Sequence, residues 1–225
     1  MNNILITGAT SGLGLELAKQ FLDSGKNVHI FGRNRAAIED LLGNPRCHFS
    51  FIDLQDGAKL SPITKYLQAH DIDCFINNAG IYSDKGLSIS TEECHSVVMV
   101  NLFSAILLLR DAYEFFRTRG KGTIAVIDSI AGLTPNFKES VYAASKHGLK
   151  GFVGSLQMEA YKYNIKIMEY YLGAMQTPMT ATRPGYAELM KPQEVANSII
   201  SDIISPGSLL AVRQEIRKFQ AIKSA

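Results

Sequence analysis

The sequence predicts an α/β fold, a doubly wound parallel β-sheet with helices on both faces, in a single domain spanning residues 1–225. Three observations predict it. Short apolar runs alternate with longer stretches of helical period, and such alternation makes neighbouring strands parallel through right-handed crossovers. The first apolar run ends directly in a glycine-rich segment that opens into an amphipathic helix. No internal repeat, low-complexity tract or Pro/Ser-rich linker interrupts the pattern.

The elements follow in chain order. Ile4-Leu5-Ile6 is the first strand, and Gly12 to Gly25 the helix after it, with Leu15, Leu17, Ala18, Phe21 and Leu22 at apolar positions. Val28 to Phe31 forms the second strand, Arg35 to Leu42 a short helix, and His48 to Ile52 the third strand. A helix from Gly57 to His70 leads to the strand Cys74-Phe75-Ile76. Thr91 to Arg119 is one long helix whose apolar stripe, Val97, Val98, Leu102 and Leu108, faces the core. The strand Ile124 to Ile127 precedes a helix starting near Val141, and Ile165 to Tyr171 is the next strand. Lys191-Pro192 with Glu194 in the first turn starts another helix, and a last strand is expected near Leu209 to Val212.

Composition excludes several classes. Hydrophobic content of 46% with 20% charged residues belongs to a folded chain rather than a disordered one. A net charge of +2 with scattered basic residues offers no field for nucleic acid or an acidic membrane surface. The run Ile106 to Leu109 is cut off by Arg110 and Asp111, well short of a membrane span, so no membrane partner is expected. Met1-Asn2-Asn3 lacks the basic start of a secretory signal, and a cytoplasmic location is expected. Cys47, Cys74 and Cys94 form no C-x-x-C pair, and His29, His48, His70, His95 and His147 show no metal-like spacing, so no metal is expected.

The glycine-rich segment is Thr7-Gly8-Ala9-Thr10-Ser11-Gly12-Leu13-Gly14. Glycine serves where the chain turns tightly and where backbone must approach a pyrophosphate, and the helix N-terminus then offers unpaired N–H groups to the phosphates. This Rossmann-type arrangement makes Gly8, Thr10, Ser11, Gly12, Leu13 and Gly14 candidate cofactor ligands. The spacing, Thr-Gly, three residues, Gly, one residue, Gly, resembles the loop of the short-chain dehydrogenase/reductase family. At the end of the second strand an acid would bind ribose hydroxyls and repel a 2′-phosphate. Here Gly32 is followed by Arg33 and Asn34, and a guanidinium grips phosphate through paired charge-assisted bonds, so NADP(H) is favoured over NAD(H).

Ser129 follows the fifth strand, and Tyr142-Ala143-Ala144-Ser145-Lys146 comes thirteen residues later. Among nine tyrosines only Tyr142 has a lysine four positions on, a spacing that puts phenol and ammonium on one helix face. A free phenol, with a pKa of about 10, is a poor acid–base at neutral pH, and a neighbouring ammonium favours its phenolate. Tyr142 is thus the candidate proton donor or acceptor, Ser129 holds the substrate oxygen, and Lys146 also binds the nicotinamide ribose.

The resemblance covers the chain from Ile4 to about Ile200 and implies further roles. Asp53 and Leu54, after the third strand, would meet the adenine; Asn78, Ala79 and Gly80, within a full Asn-Asn-Ala-Gly match, would line the adenosine ribose. Asn101 matches a fourth catalytic residue that holds a relay water, with plain core hydrogen bonding as the alternative. Backbone at Met175 would meet the nicotinamide carboxamide and Thr177 the phosphates, with Leu172 standing where proline is usual. The short segment from Met179 to Lys191 corresponds to a substrate lid and implies an open pocket, edged by Tyr82, Leu133, Thr134, Asn136 and Phe137. The family implies a homodimer, or a tetramer using the last strand, and an enzyme that reduces a small-molecule carbonyl or oxidises an alcohol. A catalytically silent NADP-binding sensor is the alternative, and a cofactor-using isomerase or lyase a third; retention of Asn101, Ser129, Tyr142 and Lys146 speaks against the sensor.

Overall fold

Side-chain alternation decides how the sheet is covered. In β1 (Asn3–Thr7) Ile4 and Ile6 point to one face and Leu5 to the other, and all three are fully buried. Ile4 and Ile6 pack with Leu17 and Phe21 of α1 (Gly12–Asp23) and Ile199 and Ile203 of α7 (Pro192–Ile204). Leu5 joins the opposite cluster, with Leu67 of α3 (Thr64–Ala69), Leu108 and Phe116 of α5 (Ser104–Arg119), and Leu149 and Val153 of α6 (Ser140–Ala160). A side chain of this size contributes about 1.5–3 kcal/mol when fully buried, so two such layers account for a sheet buried on both faces. The computed structural model describes residues 1–57, 60, 62–205 and 212–216.

The remaining strands are β2 (Asn27–Gly32), β3 (Cys47–Phe51), β4 (Cys74–Asn77), β5 (Gly122–Ser129), β6 (Ile165–Leu172) and β7 (Val212–Ile216). They form one sheet in the order β3-β2-β1-β4-β5-β6-β7, and every neighbouring pair is parallel. The order reverses between β1 and β4, so a crevice opens beyond the carboxyl ends of these two strands.

Several expected boundaries move. Residues 58, 59 and 61 of the expected Gly57–His70 helix lie outside the described residues; α3 begins at Thr64, beyond Pro62, whose ring and missing N–H exclude it from a helix interior. Arg35 to Leu42 divides into a 3-10 turn at Arg35–Ile38 and α2 (Glu39–Leu42). The last strand lies at Val212–Ile216, displaced from Leu209 to Val212, of which residues 209–211 fall outside the described residues. Strand β6 runs through Leu172, opposite Ser129 and Ile216; leucine keeps the backbone donor that proline would remove from a central strand.

The long helix is continuous from Thr91 to Arg119 but changes pitch. It comprises α4 (Thr91–Val98), a π-helical turn at Met99–Phe103, and α5. Taken whole it reaches membrane length, with mean hydropathy of 1.5 over its most apolar 18 residues, which the short run at Ile106 to Leu109 did not suggest. Of that window 56% is buried within the fold, which accounts for the apolarity as that of a core helix.

Spacing also gave no sign that three histidines meet. His29 and His48 are directly opposed on β2 and β3, with ring centroids 4.6 Å apart, and His70 at the end of α3 lies 4.7 Å from His29. Tyr66 joins them, its hydroxyl 2.9 Å from Nδ1 of His29.

Candidate active site

The crevice is built around Thr7, the last residue of β1. Its Oγ1 accepts from the backbone N–H groups of Asn78 and Ala79, both at 3.0 Å. The Asn78 amide returns two bonds, to the carbonyls of Thr7 at 2.9 Å and Gly8 at 3.2 Å. This reciprocal stitch joins the carboxyl ends of β1 and β4 and fixes the start of the glycine-rich loop. Gly8 has φ of +66°, and a Cβ there would lie 2.8 Å from the Ala79 Cα, so both conformation and space require glycine. A Cβ on Gly14 would meet the Gly8 carbonyl at 2.7 Å, which keeps α1 close against β1. Helix α1 has no side-chain cap from Ser11 and no acid in its first turn, so its leading N–H groups face the crevice unpartnered by side chains. A glycine cradle, open donors and a positive helix end suit a pyrophosphate, and the chain here fits a dinucleotide.

Beyond the loop the crevice becomes a cavity of about 640 Å³. At one end Arg33 and Asn34 leave β2, and Asp53 and Leu54 leave β3. Gly32 packs under Thr10, whose Cγ2 would lie 2.7 Å from any Cβ there, so packing leaves no place for a ribose-binding acid. Arg33 is half exposed and lies 3.9 Å from the Asp53 carboxylate. Asn34 spends its side-chain oxygen on the N–H of Ala37, at 3.2 Å, capping the 3-10 turn. At the middle, Thr177 packs its methyl group over Gly12, which places it against the phosphate loop.

At the other end stand Ser129, Tyr142 and Lys146. Ser129 closes β5, and its Oγ accepts the N–H of Ala131 at 3.1 Å, which fixes the oxygen and leaves the hydroxyl proton free to donate. Tyr142 and Lys146 lie one turn apart on the buried face of α6, with the ammonium 5.9 Å from the phenol ring centroid. Lys146 Nζ lies 3.4 Å from the Ile127 carbonyl and 3.4 Å from Oδ1 of Asp128. Burial works against this ammonium, but the Asp128 carboxylate and then Tyr142 outweigh it, and its pKa is held above the ordinary lysine value. Asn101, in the π-helical turn, lies behind the cavity wall. Its Oδ1 accepts from the N–H of Ile81 at 2.8 Å, and its Nδ2 donates to the Ile81 carbonyl at 2.9 Å and to Ser145 Oγ at 3.2 Å.

Comparison with known sequences decides the family: a model of the short chain dehydrogenase family matches residues 2–185. The chain belongs to that family. A 3-oxoacyl-[acyl-carrier-protein] reductase of Chlamydia pneumoniae is 31% identical over 186 residues, covering 79% of this chain and 75% of the relative. Among solved structures, a 4-hydroxyisoleucine dehydrogenase mutant in complex with NADH and succinate superposes with a TM-score of 0.86 at 24% identity, over 97% of this chain and 98% of the other. A serine dehydrogenase in complex with NADP+ gives 0.84 at 20% identity, over 99% and 98%. At these identities the structures establish the fold alone. One holds NADH and the other NADP+, so the choice between cofactors turns on the residues of this chain.

This short-chain dehydrogenase brings its expected cofactor and catalytic residues to one cavity: Gly8, Thr10 to Gly14, Arg33, Asn34, Asp53, Leu54, Asn78 to Gly80, Ser129, Tyr142, Lys146, Met175 and Thr177 line it, and of that set Asn101 alone does not. Of the residues expected to edge the substrate end, Tyr82 and Asn136 line the cavity, whereas Leu133, Thr134 and Phe137 do not. Phe137 projects into solvent, because the 3-10 turn at Ile130–Gly132 and the positive φ of Lys138 carry that loop away.

Glu139 and Arg183 take their place in the wall, and the sequence reading missed both. Glu139 is buried three residues before Tyr142; it accepts from the Tyr82 hydroxyl at 2.7 Å and the Asn136 amide at 2.9 Å, and pairs with Arg183 at 3.4 Å. Tyr82 in turn stands edge-on to Tyr142, ring centroids 5.1 Å apart. Burial, reinforced by Glu139, pushes the Tyr82 phenol above its ordinary pKa, so it serves here as a neutral donor. The segment after Met179 is therefore fastened on two sides. Arg183 ties it to Glu139 on one side, and Gln176 ties it on the other, through the carbonyls of Ala187 at 2.9 Å and Leu189 at 3.1 Å.

Proposed function

We propose that this enzyme is an NADP-dependent carbonyl reductase or alcohol dehydrogenase acting on a small molecule, with Tyr142 as general acid or base. One observation carries the reading: Ser129, Tyr142 and Lys146 line the same cavity as the phosphate loop and Arg33. The loop and the N-terminus of α1 would hold the pyrophosphate, Arg33 a 2′-phosphate, and Lys146 the nicotinamide ribose. A bound nicotinamide supplies or takes up the hydride. The residues handle the oxygen and its proton. Ser129 donates a hydrogen bond to the substrate oxygen, and Tyr142 passes its phenolic proton to that oxygen in reduction or accepts the proton of the alcohol in oxidation. Lys146 lowers the cost of the phenolate that reduction leaves behind.

We also infer a homodimer. Val98, which the apolar stripe placed against the core, is instead exposed to solvent, as is Phe103 on the same long helix, and a second copy would cover both.

The test is NADPH consumption by the purified protein against aldehydes, ketones, quinones, keto-sugars and a β-keto thioester, the last suggested by the name of the Chlamydia relative. Tyr142→Phe should bind NADPH within about twofold of the wild type and lose roughly 10²–10⁴ in kcat, the range expected when a positioned proton donor is removed. Normal turnover by the Phe variant would refute the assignment of Tyr142.

A further inference from the structure

The catalytic end of the cavity contains a carboxyl group that the proposed reaction does not use; burial raises its pKa, and the facing Lys146 ammonium works against that rise and favours the carboxylate. Asp128, next to last in β5, has a fully buried side chain. Its Oδ1 accepts the N–H of Ser129 at 2.8 Å and lies 3.4 Å from Nζ of Lys146. Its Oδ2 is buried and has no hydrogen-bond partner among the described residues. A Cβ on Gly132 would come within 3.0 Å of that oxygen, so the carboxylate is packed firmly into place. One side chain thus touches the backbone of Ser129 and the head of Lys146.

Among the described residues the ammonium has two polar contacts, Asp128 and the Ile127 carbonyl, and both exceed the roughly 2.7–2.9 Å of a strong charge-assisted bond. Asp128 therefore holds Lys146 through charge rather than through a short hydrogen bond. The other titratable groups around the pair are Tyr142 and His147 on α6 and Glu169 on β6, with Tyr82 edge-on to Tyr142 and Glu139 beyond it. His147 turns away, its Nδ1 engaged with the Ala143 carbonyl at 2.9 Å. Glu169 adds to the negative side of the balance at Lys146.

We propose that Asp128 is a positioning residue that acts through Lys146: it anchors the ammonium and offsets the charge that Lys146 presents to Tyr142, favouring the phenol and thereby moving alcohol oxidation to higher pH. The proposal rests on the reading of Tyr142 as the proton-transferring group. An isolated ammonium beside a phenol favours the phenolate. With a carboxylate behind it, the phenol meets a dipole rather than a single charge, and the stabilisation of the phenolate weakens. Reduction needs the phenol: its O–H bond breaks, the proton joins the carbonyl oxygen, and solvent restores the proton afterwards. Oxidation needs the phenolate, which this pairing disfavours.

The test compares the wild type with Asp128→Asn, which keeps the shape and an acceptor for the Ser129 N–H, and Asp128→Ser, which removes the same charge with a smaller side chain. Phenolate absorbance is titrated in each full-length protein, and the Tyr142 contribution is taken by difference from the matching Tyr142→Phe protein, with thermal melts verifying the fold. The Tyr142 midpoint should fall by about one pH unit or more in both variants, a tenfold change in proton equilibrium. The pH at which alcohol oxidation is half-maximal should fall with it, while NADPH affinity stays within about threefold. An unchanged or higher midpoint in folded variants overturns the proposal. A lowered midpoint in proteins that turn over no substrate upholds the coupling of Asp128 to Tyr142 and overturns the proposed function instead.

Discussion

Arg33 stands half exposed at the end of β2, 3.9 Å from Asp53, too far for a committed ion pair. Its guanidinium is therefore available to a ligand without first breaking a strong bond. If it grips a 2′-phosphate, removing it costs about 1.5–3 kcal/mol, the worth of a hydrogen bond to a charged group. Arg33→Ala should thus raise the NADPH dissociation constant roughly 10- to 100-fold and that of NADH less than threefold, measured by fluorescence titration. Equal weakening of both would remove the case for NADP. Arg33, Ser129, Tyr142 and Lys146 were legible because their meaning lies in short spacings next to strand ends. Asp128 was in view beside Ser129, but its partner Lys146 lies on the following helix, and nothing in the local sequence announces a buried pair. Glu139 was further from reach, since Tyr82 and Arg183 meet it across 57 and 44 residues.

The long helix shows the same division at the scale of an element. Its extent, Thr91 to Arg119, followed from the apolar stripe, but its pitch did not. The π-helical turn at Met99–Phe103 places Asn101 where its carboxamide pairs with both backbone groups of Ile81. Periodicity cannot mark such a turn, because what singles it out is a bond to a segment 20 residues upstream. Likewise Pro62 marked where α3 could not run, although the apolar pattern continued past it. The turn yields a prediction about the element. Asn101→Ala leaves the Ile81 N–H and carbonyl without their partner, at about 1–3 kcal/mol for each buried group. Stability should drop by roughly 2–4 kcal/mol in urea unfolding. A melting temperature within about 2 °C of the wild type for Asn101→Ala would mean that something else holds Ile81.

Across the whole molecule the carboxyl ends of the strands carry the chemistry, and what holds the strands together elsewhere decides when the site survives. The β2–β3 edge, which delivers Arg33 and Asp53, is closed from one side by the His29, His48, His70 and Tyr66 cluster. Burial, and then the charges of His48 and His70, lower the pKa of His29 from 6.5 to about 4. The folded state therefore refuses a proton that the unfolded chain binds between these values. The contribution of His29 to stability is complete above about pH 6.5 and is lost as pH falls towards 4. A gap of about 2.5 units corresponds to roughly 3 kcal/mol, large beside the 5–15 kcal/mol of a typical domain. His29→Gln keeps a polar partner for Tyr66 but cannot titrate. Urea unfolding at pH 7.5 and pH 4.5 should show the wild type losing about 2–3 kcal/mol more than this variant. Equal losses in the two proteins would mean that the histidine cluster takes up its proton without opening the fold, and that the edge carrying Arg33 and Asp53 is secured by the strand pairing of β2 with β1 instead.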